Sequence, residues 1–200
     1  MQSTTLSFAN MHNHGALFPD LLRARRESFI VRNEWDLPEV DGMEYDQYDT
    51  PASRWIAVHE DGVVYAGIRL TPTTNRCGIY SYMIKDAQDG LLEEIPENLL
   101  FEDAPVHKNI WESSRMFVNN ETPTRLRRRV HFKLTLSMLA AAHELGAKRV
   151  LGLIPANWPR WAPALGCDFD AAGPVMEIDE VNSQCISIDM SRNAPRPSPV

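Results

Sequence analysis

With 200 residues, 44% of them hydrophobic, the chain is long enough to enclose one core and reads as a single domain over residues 1–192, followed by a short tail. Its 27 acidic and 20 basic residues leave a net charge of −7, which excludes a general nucleic-acid binder, because displacing counterions from phosphates needs a cationic surplus. Cys77, Cys167 and Cys185 have no CxxC spacing, and nowhere do ~18 apolar residues run together, so no disulfide framework, zinc site or membrane span is expected.

The opening MQSTTLSFANMHNHGALF lacks the basic start and apolar stretch of a signal peptide, and the expected location is cytoplasmic. From Leu17 to Asn33 apolar residues recur at helical spacing, with Pro19 and Asp20 suited to a first turn, which predicts an amphipathic helix. Arg54 to Glu60 and Val63 to Leu70 flank Asp61-Gly62, a hairpin signal. Ile110 to Val118 mixes large apolar and polar residues in the manner of a strand and stops at Asn119-Asn120. Thr122 and Pro123 read as the N-cap and first residue of a long helix. Leu126, Val130, Leu134, Met138, Ala141 and Leu145 share one of its faces, and Gly146 ends it. Arg149 to Ile154 predicts a short strand, Trp158 to Leu165 a short helix, and Val175 to Ile178 and Gln184 to Met190 the last strands. This order predicts an α+β fold, and residues 193–200, NAPRPSPV, have too little apolar surface to order.

Three groups of residues combine charge with an apolar context. Arg25 and Phe29 lie one helical turn apart, with Trp35 just beyond the helix. Glu44, Asp46 and Asp49 fall in a loop rich in Tyr and Gly. Glu112 and Arg115 lie inside the strand IWESSRMFV, and Arg69 inside AGIRL; charges in such strands must face solvent or neutralise partners in a polar interior. Each group taken alone also fits an ordinary aromatic core, a solvated loop or a structural ion pair. His12 and His14 lack a third ligand and are read as incidental, so no metal site is expected.

Taken together, Arg25, Phe29, Trp35, Asp46, Asp49, Arg69, Glu112 and Arg115, with the strings GMEYDQYD and WESSRMFV, resemble the acyl-homoserine lactone (LuxI-type autoinducer) synthases over roughly Leu17 to Gly166. The resemblance implies a GNAT-like acyltransferase fold: a mixed αβα sandwich with a central twisted sheet and a V-shaped cleft between two splayed strands. It also implies the chemistry. An acyl group passes from acyl-acyl carrier protein or acyl-CoA to the amine of S-adenosyl-L-methionine, and lactonisation then releases methylthioadenosine.

In that reading Glu112 is the general base, with Arg115 and Asp46 as further catalytic residues. Arg25, Phe29, Trp35, Asp46, Asp49 and Arg69 form the S-adenosylmethionine pocket, and Leu151, Gly152 and Leu153 line the acyl pocket. That strand has no hydroxyl to bond a 3-oxo group, so unsubstituted acyl chains are expected. Arg125, Arg127, Arg128, Lys148 and Arg149 form a basic patch suited to an anionic acyl carrier. No cofactor, nucleic acid or membrane is called for. The turn after Arg115, Met116-Phe117-Val118-Asn119-Asn120, lacks the glycines that let a backbone cradle a CoA pyrophosphate. The alternatives are a GNAT-type N-acyltransferase using acyl-CoA on another amine, and an inactive binding domain of the same fold.

Overall fold

The computed structural model describes residues 1–193. In chain order its elements are β1 (Gln2–Leu6), α1 (Leu17–Arg26), β2 (Glu39–Val40), β3 (Met43–Glu44), β4 (Arg54–Glu60), β5 (Val63–Pro72), α2 (Met83–Gln88), β6 (Ile110–Val118), α3 (Thr124–Glu144), β7 (Arg149–Pro155), β8 (Phe169–Ile178) and β9 (Val181–Asp189). The fold is mixed α+β, as the order of sequence patterns predicts. The β4–β5 turn has Asp61 and Gly62 at positive φ, the geometry that brings two twisted strands back on each other.

Other elements differ from expectation. The predicted helix from Leu17 to Asn33 is α1 continued by a π-helical turn over Glu27–Arg32. Thr122 does not cap α3, since its hydroxyl is buried with no hydrogen-bond partner. The single helix expected over Trp158 to Leu165 is two 3₁₀ turns, Trp158–Arg160 and Pro163–Leu165, because Pro159 and Pro163 each remove a backbone donor. The last strands are longer than predicted and joined through Asp179 and Glu180, both at positive φ. Asn193, placed in the tail by its composition, is buried and bonds Asp168 and Asp189; residues 194–200 lie outside the described residues.

The domain divides into two compact units, Met1–Leu70 with Arg115–Met138, and Thr71–Ser114 with the described residues from Leu139 on. In the first unit the strand order is β1-β4-β5-β6. Its core joins Leu6, Leu21, Ala24, Phe29, Trp55, Ala57, Val64 and Phe117. Gly67 makes this packing possible: a Cβ there would fall 2.5 Å from Leu21 Cδ1 and 2.7 Å from a Phe117 ring carbon. In the second unit the order is β6-β7-β9-β8. Here Tyr82, Ile84, Ala87, Leu99, Ala104, Leu151 and Cys185 form the core. The parallel pairing of β6 with β7 runs from Ile110–Arg149 to Ser113–Gly152 and stops, although both strands continue.

Candidate active site

Within the first unit, α1 turns Arg25 onto its buried face, and the tight β2–β3 hairpin at Asp41-Gly42 delivers Glu44 beside it. Arg25 Nε donates to Glu44 Oε2 at 2.5 Å, and its two terminal nitrogens reach Asp49 at 2.8 and 3.1 Å. Arg69, from β5, donates to both oxygens of Asp46 at 2.5 and 3.1 Å and lies 3.0 Å from Asp49. Arg115, from β6, bonds Glu44 at 3.2 Å and Asp46 at 3.0 Å. The six side chains therefore close a ring of alternating charge: Arg25, Glu44, Arg115, Asp46, Arg69, Asp49 and back to Arg25.

Each buried charge in the ring has two opposite neighbours, the arrangement that offsets a desolvation cost of several kcal/mol per ion. Asp49 also accepts from the Trp55 indole N–H at 2.7 Å and the Asp46 peptide N–H at 2.9 Å. Burial alone would raise the Asp49 carboxyl, yet the Arg69 and Arg25 guanidiniums hold it well below the usual carboxylate range. Asp46 is likewise lowered, burial being outweighed by Arg69 and Arg115. Burial opposes the charge of Arg69, but Asp46 and Asp49 more than restore it, so its proton is held more tightly than usual.

Arg115 differs from the other five. Its side chain is 13% exposed, against 6% or less for the rest, so it is the cation of the ring that a solute can reach. Its φ of 53° puts a non-glycine residue in the left-handed region within a strand, a strain of ~1–3 kcal/mol that the ring contacts sustain. Its guanidinium carbon lies 5.7 Å from the Phe29 ring centre. Phe29 in turn stacks on the partly exposed Trp35, centres 5.1 Å apart and planes 9° from parallel. All of the residues expected around S-adenosylmethionine thus meet in one unit, with Glu44 and Trp55 added. Glu44 has the same carboxylate signal as Asp46 but reads as one more loop charge, and Trp55 carries no sequence mark beyond a strand aromatic.

Glu112 lies in the second unit and is fully buried. Its carboxylate accepts the Ile84 N–H at 2.7 Å and the Met83 N–H at 3.2 Å, the first donors of α2. The next residue, Ser113, changes the reading of the expected acyl wall. Its hydroxyl donates to the Leu151 carbonyl at 3.1 Å, 2.6 Å from where a Gly152 Cβ would sit, so the space left by Gly152 is taken by a hydroxyl and the wall is not wholly apolar. Leu151 is fully buried and Leu153 half-buried.

The basic patch is uneven. Arg125, Arg128 and Lys148 are exposed, but Arg127 is half-buried and donates to the Asn120 carbonyl at 2.8 Å. Arg149 is half-buried with its Nε sealed from solvent, so it is less available to a partner than the exposed cations. Exposed Arg129, Phe132 and Leu136 extend the patch along α3. Among the described residues no group of three or more His, Cys, Asp or Glu side chains could hold a metal ion, and no helix is long and apolar enough to cross a membrane.

The fold is shared with solved acyltransferases. An acyl-CoA N-acyltransferase from Pseudomonas aeruginosa superposes with a TM-score of 0.60 at 15% identity, covering 94% of this chain and 99% of that one. The chain belongs to the autoinducer synthase family, whose profile matches residues 9–156. It is 34% identical over 110 residues to an acyl-homoserine-lactone synthase of Vibrio anguillarum, covering 54% of this chain and 51% of that protein, so it spans about half of that relative's length. With the enzyme of that description from Pseudomonas aeruginosa it shares 27% identity over 166 residues, 82% of this chain and 74% of the relative. The CoA-dependent acyl-homoserine lactone synthase BjaI, solved with SAM and isopentyl-CoA, has the same fold, with a TM-score of 0.72 at 22% identity and coverage of 94% and 83%.

Proposed function

We propose that this chain is an acyl-homoserine lactone synthase. The amine nitrogen of S-adenosyl-L-methionine attacks the carbonyl carbon of an acyl thioester, the C–S bond breaks, and the thiol of the carrier protein or CoA departs. The amine proton passes to Glu112 and from there to the departing sulfur, so the carrier or CoA leaves as the thiol and Glu112 is again a carboxylate. The substrate carboxylate oxygen then attacks its own γ-carbon and expels methylthioadenosine. Neutral methylthioadenosine is a good leaving group, so the reaction as written calls for no metal or redox cofactor.

The observation that carries this reading is the charge ring, in a chain of the autoinducer synthase family. Five of its six ions are sealed from solvent, and only Arg115 remains open to orient a carboxylate. Asp46, Asp49, Glu44, Arg25 and Arg69 hold that guanidinium in place, and the Phe29–Trp35 stack offers an aromatic face to the sulfonium or adenine. Two peptide N–H donors favour the ionised form of Glu112, the form a base requires. Leu151, Gly152 and Leu153 line the acyl pocket together with Ser113. The single hydroxyl proton of Ser113 is already spent on Leu151, which supports preference for unsubstituted acyl chains. Arg125 and Arg128 on α3 meet the anionic carrier. The protein's expected place of action is the cytoplasm.

The decisive experiment incubates the purified chain with S-adenosylmethionine and equal amounts of unsubstituted and 3-oxo thioesters of one length. Methylthioadenosine and a lactone of the unsubstituted chain are expected, while acylation without methylthioadenosine would mean another N-acyltransferase. Glu112→Gln should cut acyl transfer ~10²–10⁴-fold and leave S-adenosylmethionine binding in place.

A further inference from the structure

The segment that holds Glu112 is itself held from several sides, all within the second unit. The Ser81 N–H donates to both oxygens of Asp86, at 3.0 and 2.9 Å, and the Ser81 carbonyl accepts from Asn75 Nδ2 at 2.7 Å. The Tyr82 hydroxyl donates to the Pro105 carbonyl at 2.7 Å. Met83 and Ile84 then turn their N–H groups onto Glu112. Asp86 and Glu112 are both fully buried, among Tyr82, Ile84 and Ala87 of the core. Two buried carboxylates are a costly way to end a helix of six residues, since a serine or threonine cap would satisfy its donors at the surface. What Asp86 achieves is to fix the peptide two residues before the N–H pair that Glu112 uses.

We infer that Asp86 is a positioning residue for proton transfer: by clamping the Ser81 peptide it directs the Met83 and Ile84 N–H groups, and through them sets the orientation of the Glu112 carboxylate. The proton-transfer part of this inference rests on the proposed synthase reaction; the clamp does not. The ionisable groups bearing on the assembly are Tyr82, Asp86 and Asp89 from α2 and its approach, Arg149 from β7 and Cys185 from β9. Burial, and next the charge of Glu112, push the Tyr82 phenol up, and the same two causes raise the Cys185 thiol to about 12, so both stay neutral while Glu112 titrates.

The test follows the Glu112 side-chain carboxyl by ¹³C NMR in the full chain, its signal assigned by its loss in Glu112→Gln. Asp86→Ala and Asp86→Asn both remove the charge, but only the alanine removes the acceptor. Glu112 should therefore protonate about one pH unit higher in Asp86→Ala than in Asp86→Asn, as loosened N–H donors favour the carboxylate less. In turnover, kcat of Asp86→Ala should fall roughly tenfold below that of the asparagine variant, with KM for S-adenosylmethionine within about twofold and the acid limb of kcat moved upward. Coincident carboxyl titrations in the two variants, or an activity loss that only follows lowered Tm without movement of the limb, overturn the inference. If Asp86→Ala does not fold, Tyr82→Phe releases the same segment from Pro105 and should raise the Glu112 titration above the wild-type value; no rise overturns it equally. A wild-type chain that releases no methylthioadenosine would sink the synthase reading, while the carboxyl titration would still decide the clamp.

Discussion

Arg69 shows most clearly what the charge ring does at the scale of single residues. It is fully buried, lies 5.6 Å from the Tyr48 ring centre, and bridges Asp46 and Asp49. Replacing it by methionine keeps the packing of its stem but leaves two buried carboxylates short of a cation, which should cost ~3–5 kcal/mol at neutral pH. The pH dependence has a definite sign. Asp46 and Asp49 titrate lower in the folded chain than in the unfolded one, so their stabilisation is complete above the unfolded value of about 4 and is lost as pH falls below it. In Arg69→Met the two carboxyls should titrate closer to the unfolded value, so Tm should fall less steeply with acid and the gap between variant and wild type should narrow below about pH 4. Identical acid limbs for the two proteins would show that the ring contributes no charge-dependent stability. Arg69 and Arg115 are legible in the sequence because charges inside AGIRL and WESSRMFV demand partners, and Arg25, Asp46 and Asp49 through the family resemblance. Which partner each one takes is not legible, since Arg25 and Glu44 are 19 residues apart and Arg115 and Glu44 are 71 apart.

At the scale of elements, β8 is shaped by one close approach. Its register with β9 shifts between Ala171 and Val175, and there the segment at Leu99 crosses it, with the Phe101 N–H donating to Ala172 O at 2.9 Å. A Cβ on Gly173 would fall 1.7 Å from the Leu99 carbonyl oxygen, a backbone atom that cannot swing aside. Gly173→Ala should therefore destabilise the chain by at least ~2 kcal/mol, through displacement of that segment. Thermal or denaturant unfolding measures it directly, and a variant as stable as the wild type would mean that the crossing segment is free to move. The crossing explains why only Val175 to Ile178 of this strand stands out in the sequence. Asp170 to Gly173 carry no alternation of their own, and their extended form comes from β9 and the Leu99 segment. β1 and α2 leave no local signal for a similar reason, because QSTTL is polar and MIKDAQ is too short to show a period.

For the molecule as a whole, the charge pattern bears on how a donor is met. The chain carries −7 overall, yet Arg125, Arg128 and Arg129 stand exposed near the start of α3, followed one and two turns on by exposed Phe132 and Leu136. A cationic surface on an anionic protein steers an anionic partner over ~10 Å at 0.1 M salt and less as salt rises. Reversing Arg125 and Arg128 to glutamate should raise KM for a carrier-protein thioester severalfold and flatten its salt dependence, with kcat at saturating donor nearly constant. Arg127 is a poorer choice for this test because its contact with Asn120 ties α3 to the preceding turn. Steady-state kinetics across ionic strength gives the answer, and an unchanged KM would make this face an ordinary solvated one.

The sequence by itself determined the elements whose patterns are local: the Asp61-Gly62 hairpin, the apolar face of α3, the bounds of β6, and the set of charged residues that an apolar strand cannot leave alone. These follow from periodicity and turn chemistry, which act over a few residues and are written in consecutive positions. Tertiary structure decided the rest. It closed six charges into a ring through residues up to 71 apart, set Glu112 against the start of α2, put the Ser113 hydroxyl into the space over Gly152, and left Arg149 half-buried. Such pairings depend on which strands lie side by side and on which charges can leave water only together, and no window of sequence contains both halves of that condition.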